Sequence, residues 1–205
     1  TRRGYEEYRK IAEYIAKMSW QKKGNYMVFF PSYRFLEQVY EEFFPMMEGQ
    51  TDCIVQTTGM KEEEREEFLG EFEKERKHSL VGFCVMGGIF GEGIDLKEEL
   101  LIGAIVVGTG LPQVGQEREI LKQYFEAHGG EGFDYAYRYP GMNKVLQAAG
   151  RVIRTKEDKG VIALLDERFL QREYRRLFPR EWEEYTVCSH ENIGNVLENF
   201  WREQK

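Results

Sequence analysis

Apolar residues are distributed in two different patterns along this chain, and the two patterns divide it into predicted strands and helices. Short, nearly continuous apolar runs predict strands that are buried on both faces, as in a parallel sheet. Between them, apolar residues recur every three or four positions among charged ones, which predicts amphipathic helices. The predicted strands are Tyr26–Phe30, Asp52–Gln56, Leu80–Met86, Leu100–Gly108 and Val161–Asp166. The predicted helices are Tyr5–Met18, Phe35–Phe44, Lys61–His78, Gln113–Ala127, Gln147–Arg154, Arg168–Leu177 and Asn192–Trp201, and residues 128–139 are predicted to form a surface loop.

Strands that alternate with helices predict an α/β fold, with a mainly parallel sheet flanked by helices on both faces. The 205 residues are enough for one well-filled domain, and they contain no repeat, linker or low-complexity segment. We therefore predict a single domain over residues 1–205. The chain begins at Thr1 rather than Met, which predicts a fragment of a larger protein.

Composition and charge argue against several classes of function. The net charge of −7 argues against a domain that holds nucleic acid by bulk charge, although a local basic track is still compatible with it. The three cysteines, Cys53, Cys84 and Cys188, form no CxxC pair, so they predict reduced thiols in a cytosolic protein rather than a metal site or disulfide framework. No apolar run approaches the ~18 residues of a membrane-spanning helix.

Four segments, three of them polar or glycine-rich and the fourth carrying arginines, are predicted to lie where α/β sheets place their functional loops, just after strands at their carboxyl ends. Ser32 and Tyr33 could hold a phosphate and stack a base, or Ser32 could simply cap the next helix. Residues Gln56–Gly59 are equally compatible with a turn and with a phosphodiester contact. Residues Gly87–Asp95 contain four glycines whose backbone N–H groups could approach an anion, although their spacing matches no standard phosphate-binding loop.

A fourth segment, Gln147–Arg154, carries two arginines. If it is helical, Gln147, Arg151 and Arg154 lie on one face and offer two guanidinium groups suited to phosphate or carboxylate. A salt-bridge network with Glu92 or Asp95 is the alternative, and both can coexist. The chain has neither a Walker A motif nor an Asp-Glu-x-His motif. This combination predicts a domain that supplies arginines in trans to a nucleotide held elsewhere.

Several of these segments resemble a known family. The resemblance is to motifs IV, V and VI of superfamily 2 helicases, and in particular to the second motor domain of the DinG/XPD-type, iron–sulfur-associated DNA helicases of bacteria. It covers roughly residues 25–170. The segments that carry it are Tyr26–Tyr33, Phe90–Leu96 leading to Gly110–Pro112, Gln147–Arg154, Asp158–Gly160 and Leu165–Phe169.

The resemblance implies a three-layer RecA-like domain that forms half of an ATP-driven, 5′ to 3′ DNA helicase in the cytoplasm, associated with the nucleoid. ATP, Mg²⁺ and any iron–sulfur cluster would belong mainly to a missing first motor domain of the same chain. The partners implied are that domain and single-stranded DNA, with no membrane. The roles implied are arginine fingers for Arg151 and Arg154, nucleotide binding or coupling for Gln147, Glu92, Gly93, Asp95 and Gly150, and contact with the DNA strand for Ser32, Tyr33 and Gly88.

The residues are also compatible with two other hypotheses. A RecA-like module could act only through protein partners and never complete an ATPase site. A doubly wound enzyme could instead hold the diphosphate of a nucleotide sugar in the loop Gly87–Gly93. Walker A and Asp-Glu-x-His segments upstream of Thr1 would favour the motor over the module. In the motor, we expect at least one of Arg151 and Arg154 to lie near Glu92 or Asp95 when the nucleotide is absent.

Overall fold

Five parallel strands form one sheet in a computed structural model that describes residues 4–88, 90, 101–152 and 158–204. The spatial order is β2-β3-β1-β4-β5. The three central strands are almost entirely buried, whereas the two edge strands are mostly half-buried. The predicted α/β class with a parallel sheet is therefore confirmed. The strands are β1 (Asn25–Phe30), β2 (Thr51–Val55), β3 (Ser79–Val85), β4 (Gly103–Val107) and β5 (Val161–Leu165).

Seven α-helices are described in these residues. Their bounds are α1 (Tyr5–Gln21), α2 (Tyr33–Met47), α3 (Glu62–Gly70), α4 (Gln116–Ala127), α5 (Tyr139–Ala149), α6 (Arg172–Arg175) and α7 (Ile193–Glu203). Short 3₁₀ turns follow α3 and β5 and precede the carboxyl-terminal segment, at Glu71–Glu73, Glu167–Leu170 and Arg180–Trp182. No described helix is long and apolar enough to cross a membrane.

The two faces of the sheet carry separate hydrophobic clusters. Because side chains alternate along a strand, Tyr26 and Val28 of β1 pack on one face, whereas Met27 and Phe29 pack on the other. Helices α1, α2 and α7 pack on the first face, and α5 together with Phe68 of α3 packs on the second. Burying both faces explains why the central strands read as continuous apolar runs rather than alternating ones.

Three sequence predictions about helices are corrected. The helix predicted over Lys61–His78 ends at Gly70 and continues only as a 3₁₀ turn, because glycine is a weak helix former and few apolar positions follow it. The segment 128–139 is not wholly a loop, since Asp134–Arg138 forms a π-helical turn that leads into α5. The arginine-bearing helix ends at Ala149, so Arg151 lies in a turn and not on a continuous helical face.

A buried carboxylate explains the order in the segment predicted as a loop. Asp134 is 1% exposed and accepts hydrogen bonds from the guanidinium groups of Arg138 and Arg176. The Arg138 guanidinium also lies over the rings of Phe133 and Tyr174. A buried charge is stable only when it is paired and hydrogen-bonded, so this cluster fixes the π-helical turn against α6.

Candidate functional site

Three neighbouring strands end in a hydrogen-bonded group at the carboxyl edge of the sheet. Gln56 follows β2 directly and is 2% exposed. Its Oε1 accepts from the backbone N–H of Val85, the last residue of β3, at 2.8 Å. Its Nε2 donates to the hydroxyl oxygen of Tyr33, which follows β1, at 2.9 Å. The buried amide therefore ties together the chain positions at the ends of β1, β2 and β3.

The orientation of this amide decides what Tyr33 can do. A backbone N–H can only donate, so the amide oxygen of Gln56 must face Val85 and the amide nitrogen must face Tyr33. The phenol oxygen then accepts a hydrogen bond, and its own hydrogen remains available to donate. Tyr33 as a whole is half-buried. Its hydroxyl could therefore donate to a further acceptor at the carboxyl edge of the sheet.

Ser32 caps the helix that follows it, which was one of the two roles the sequence allowed. Its hydroxyl accepts from the backbone N–H of Phe35 at 3.3 Å, and its carbonyl accepts from Leu36. The hydroxyl hydrogen is still available as a donor. Since the first N–H groups of a helix lack intrahelical partners, the start of α2 adds backbone donors and a positive dipole end to the same edge.

The turn after β3 brings two glycines against polar side chains. Gly87 has a φ of +68°, a conformation that glycine adopts readily. A Cβ added at Gly87 would lie 2.9 Å from Cε and 3.3 Å from Nζ of Lys144, a residue of α5. A Cβ added at Gly88 would lie 3.3 Å from Nε2 of Gln56. Consecutive glycines thus let Lys144 and Gln56 approach the two parts of one turn.

The loop after β4 is held against the start of α5 by another close glycine contact. Gly110 has a φ of +66°, and a Cβ there would lie 2.7 Å from the carbonyl oxygen of Gly141. A Cβ on Gly141 would in turn lie 2.7 Å from the carbonyl oxygen of Thr109. Only two glycines allow the backbones to touch in this way, so they place the beginning of α5 at the carboxyl edge of the sheet.

The segment that carries Arg151 lies at the amino ends of the strands. This corrects its predicted grouping with the loops at the carboxyl ends. Gly160 precedes β5, and a Cβ on it would lie 2.2 Å from Cγ1 of Val152 and 3.0 Å from the carbonyl oxygen of Ile102, which precedes β4. The eleven residues of α5 span about 16 Å. A five-residue strand spans nearly the same length. Running antiparallel to the strands, α5 therefore starts at their carboxyl ends and finishes beside their amino ends.

The predicted site residues divide accordingly. Ser32, Tyr33 and Gly88 lie together at the carboxyl edge, whereas Gly150 and Arg151 lie at the far end of α5. Gln147 is exposed on the last turn of that helix. The remaining four predicted residues, and with them the predicted contact between an arginine and a carboxylate, lie outside the described residues. They are Glu92, Gly93, Asp95 and Arg154.

Thiols and metal ligands add no second site within the described residues. Burial raises the pKa of Cys84 well above its usual value, and burial with the nearby Asp52 carboxylate raises the pKa of Cys53 to about 12. Both are therefore neutral thiols at physiological pH. Among the residues described, no group of three or more histidine, cysteine, aspartate or glutamate side chains is placed to hold a metal ion.

Comparison with known proteins places this geometry in a family. The family model for the helicase C-terminal domain matches residues 15–185, which include the whole sheet and the second hydrophobic cluster. The chain belongs to this helicase C-terminal domain family. Its members include the second motor domains of DinG/XPD-type helicases, so the resemblance inferred from the motifs is confirmed.

Relatives of this helicase C-terminal domain include full helicases of bacteria, archaea and animals. The chain is 30% identical over 151 residues to the ATP-dependent DNA helicase DinG of Photobacterium profundum, covering 72% of this chain and 21% of that protein. It is 28% identical over 167 residues to the ATP-dependent DNA helicase XPD of Sulfolobus acidocaldarius, covering 79% of this chain and 28% of the relative. The chain therefore spans less than a third of these relatives.

Solved structures agree on the fold. An XPD helicase structure superimposes with a TM-score of 0.68 at 24% identity, covering 85% of this chain and 30% of that chain. The helicase C-terminal domain described here is therefore a RecA-like α/β domain, as the resemblance implied.

Sequence analysis did not predict the contacts of two residues that the structure places beside the predicted ones, Gln56 of the segment Gln56–Gly59 and Lys144. Gln56 was recognisable as the polar residue directly after a strand, but its buried hydrogen bonds to two other strand ends depend on tertiary contacts. Lys144 stands three residues before Gln147, so the two share a helix face. Its approach to Gly87 could not be read from the spacing within α5.

Proposed function

We propose that this chain is the second motor domain of an ATP-dependent DNA helicase with 5′ to 3′ polarity. The observation that carries the proposal is that α5 joins two different polar surfaces of a helicase C-terminal domain. Its Lys144 lies against Gly87, which adjoins Gly88 in the turn after β3, and its end leads to Arg151. One helix can thus connect a strand-binding surface with a nucleotide-sensing one.

The carboxyl edge is the surface we assign to single-stranded DNA. The Tyr33 hydroxyl is oriented to donate, Ser32 and the start of α2 add donors, and Gly88 lets a strand approach the backbone. These groups suit phosphate oxygens and carry no base preference, in keeping with a motor that moves along any sequence. With a net charge of −7, the domain depends on such local contacts rather than on its overall charge.

The turn that ends α5 is the surface we assign to ATP. In the proposed motor, Arg151 and Arg154 reach the γ-phosphate of a nucleotide bound by a first motor domain and stabilise the charge of the transition state. Gln147 and Gly150 support that approach, and Glu92, Gly93 and Asp95 couple it to the strand. Magnesium and any iron–sulfur cluster belong to the rest of the protein, as does the first motor domain as partner.

The assignment is tested in the full-length protein with Arg151→Ala and Arg154→Ala. Removing an arginine finger should slow DNA-stimulated ATP hydrolysis by ~10³-fold or more, because the developing charge loses its partner. Arg9→Ala is the matched control, since Arg9 is exposed on α1 and pairs there only with Glu13 among the described residues. If both single variants hydrolyse ATP at close to the wild-type rate while folding normally, the proposed role is wrong.

A further inference from the structure

A lysine on α5 lies across the turn that follows β3. Lys144 is half-buried, and the positions of its Cδ, Cε and Nζ are 3.1, 2.9 and 3.3 Å from a Cβ placed on Gly87. The aliphatic stem therefore rests on the backbone of that turn, with the ammonium group at its end. Lysine commonly buries its stem in this way while its charge stays at the surface.

Within residues 4–88, 90, 101–152 and 158–204, no carboxylate forms a salt bridge with the ammonium group of Lys144. Many other basic side chains in the same residues do pair, such as Arg76 with Asp52 and Arg168 with Asp166. A lysine held against a glycine turn without a carboxylate partner is available to bind an anion from outside.

The groups around Lys144 favour a phosphate as that anion. Gly87 and Gly88 are consecutive, so the ammonium group and the amide of Gln56 flank the same turn. Gln56 in turn orients the Tyr33 hydroxyl as a donor. A point charge on one side and a neutral donor on the other match the several oxygens of one phosphate group or of two successive ones.

We propose that Lys144 is a phosphate-binding residue, positioned by the side-chain-free Gly87 at the carboxyl edge of the sheet. This inference rests on the proposed function for the presence of a nucleic-acid strand or nucleotide. The phosphate is that of single-stranded DNA or of ATP, and the position of Lys144 against Gly87, next to the predicted strand-contact residue Gly88, favours the strand. Because its stem already rests on the turn, the lysine loses little further conformational freedom when it binds.

The test is the salt dependence of single-stranded DNA binding by the full-length protein without nucleotide. Each phosphate contact to a single strand adds about 0.7 to the slope of log K against log salt concentration. Lys144→Gln should reduce the slope by about 0.7, which corresponds to roughly fivefold weaker binding at 0.1 M salt than in the wild type. Lys144→Arg should restore most of the slope because it keeps the charge.

Lys10→Gln is the matched control, since Lys10 is exposed on α1, which covers the other face of the sheet. It removes the same charge and should leave the slope unchanged. Circular dichroism and thermal melting of each variant establish that the fold is kept. A second measurement, the KM for ATP at saturating DNA, distinguishes the two sources of phosphate.

A lower slope in Lys144→Gln alone supports contact with the strand, and an unchanged slope with a raised KM for ATP supports contact with the nucleotide. If neither quantity changes, or if Lys10→Gln lowers the slope equally, Lys144 is not a phosphate-binding residue. Failure of the proposed function is distinguishable, because it would appear as wild-type protein that binds no single strand or as normal ATP hydrolysis in the arginine variants.

Discussion

Replacing Gln56 with leucine should destabilise the domain, because its amide makes two hydrogen bonds while only 2% exposed. The backbone N–H of Val85 would lose its acceptor, which costs about 1–3 kcal/mol for a buried donor. The bond to Tyr33 contributes about 0.5–1.5 kcal/mol, part of which water can replace at that half-buried hydroxyl. Leucine recovers some apolar burial, so we expect a net loss of about 2 kcal/mol.

Urea denaturation monitored by circular dichroism measures this loss. With slopes of about 1–3 kcal/mol per molar urea, the midpoint should fall by roughly 1 M. Gln123→Leu, at an exposed position of α4, is the control and should change the stability by less than about 0.5 kcal/mol. Tyr33→Phe should cost less than Gln56→Leu, because it leaves the Val85 bond intact. A Gln56→Leu midpoint equal to that of the Gln123 control would refute the structural role assigned to this amide.

Two further outcomes follow from the structure. Gly141→Ala should lower the unfolding free energy by about 1–3 kcal/mol, because the new methyl group would lie 2.7 Å from a backbone oxygen. Gly70→Ala is the control and should stabilise the domain by about 0.5–1 kcal/mol, since Gly70 lies in open helical surroundings. Urea titration of both variants shows whether the close backbone contact is the cause. Burial raises the pKa of Tyr26, Cys53 and Cys84 in the folded chain. The stability that these groups contribute is therefore complete below their unfolded pKa values, near 8.5 for cysteine and near 10 for tyrosine, and is lost as the pH rises above those values. A melting temperature that stays constant from pH 8 to 11 would contradict this.

The periodicity of the sequence determined the class of fold. Runs such as Tyr26–Phe30 cannot expose either side, so they had to form the interior strands of a sheet covered on both faces, and β1 has that position. Local signals allowed the cap at Ser32, but they located few helix ends, since the helices predicted to end at His78 and Arg154 end at Gly70 and Ala149. The sequence motifs Glu92–Asp95 and Gln147–Arg154 carried enough information for the family, because they occur in order and at the proper spacing.

Tertiary structure alone decided how the polar residues group. Gln56 joins three strand ends and Lys144 lies on Gly87 because parallel crossovers bring distant residues to one edge, and no local pattern encodes such distances. Tertiary structure also separates Arg151 from the carboxyl edge of the sheet. Gly150 ends the helix that periodicity would continue, and α5 is as long as the strands it covers, so its two ends lie at opposite edges of the sheet.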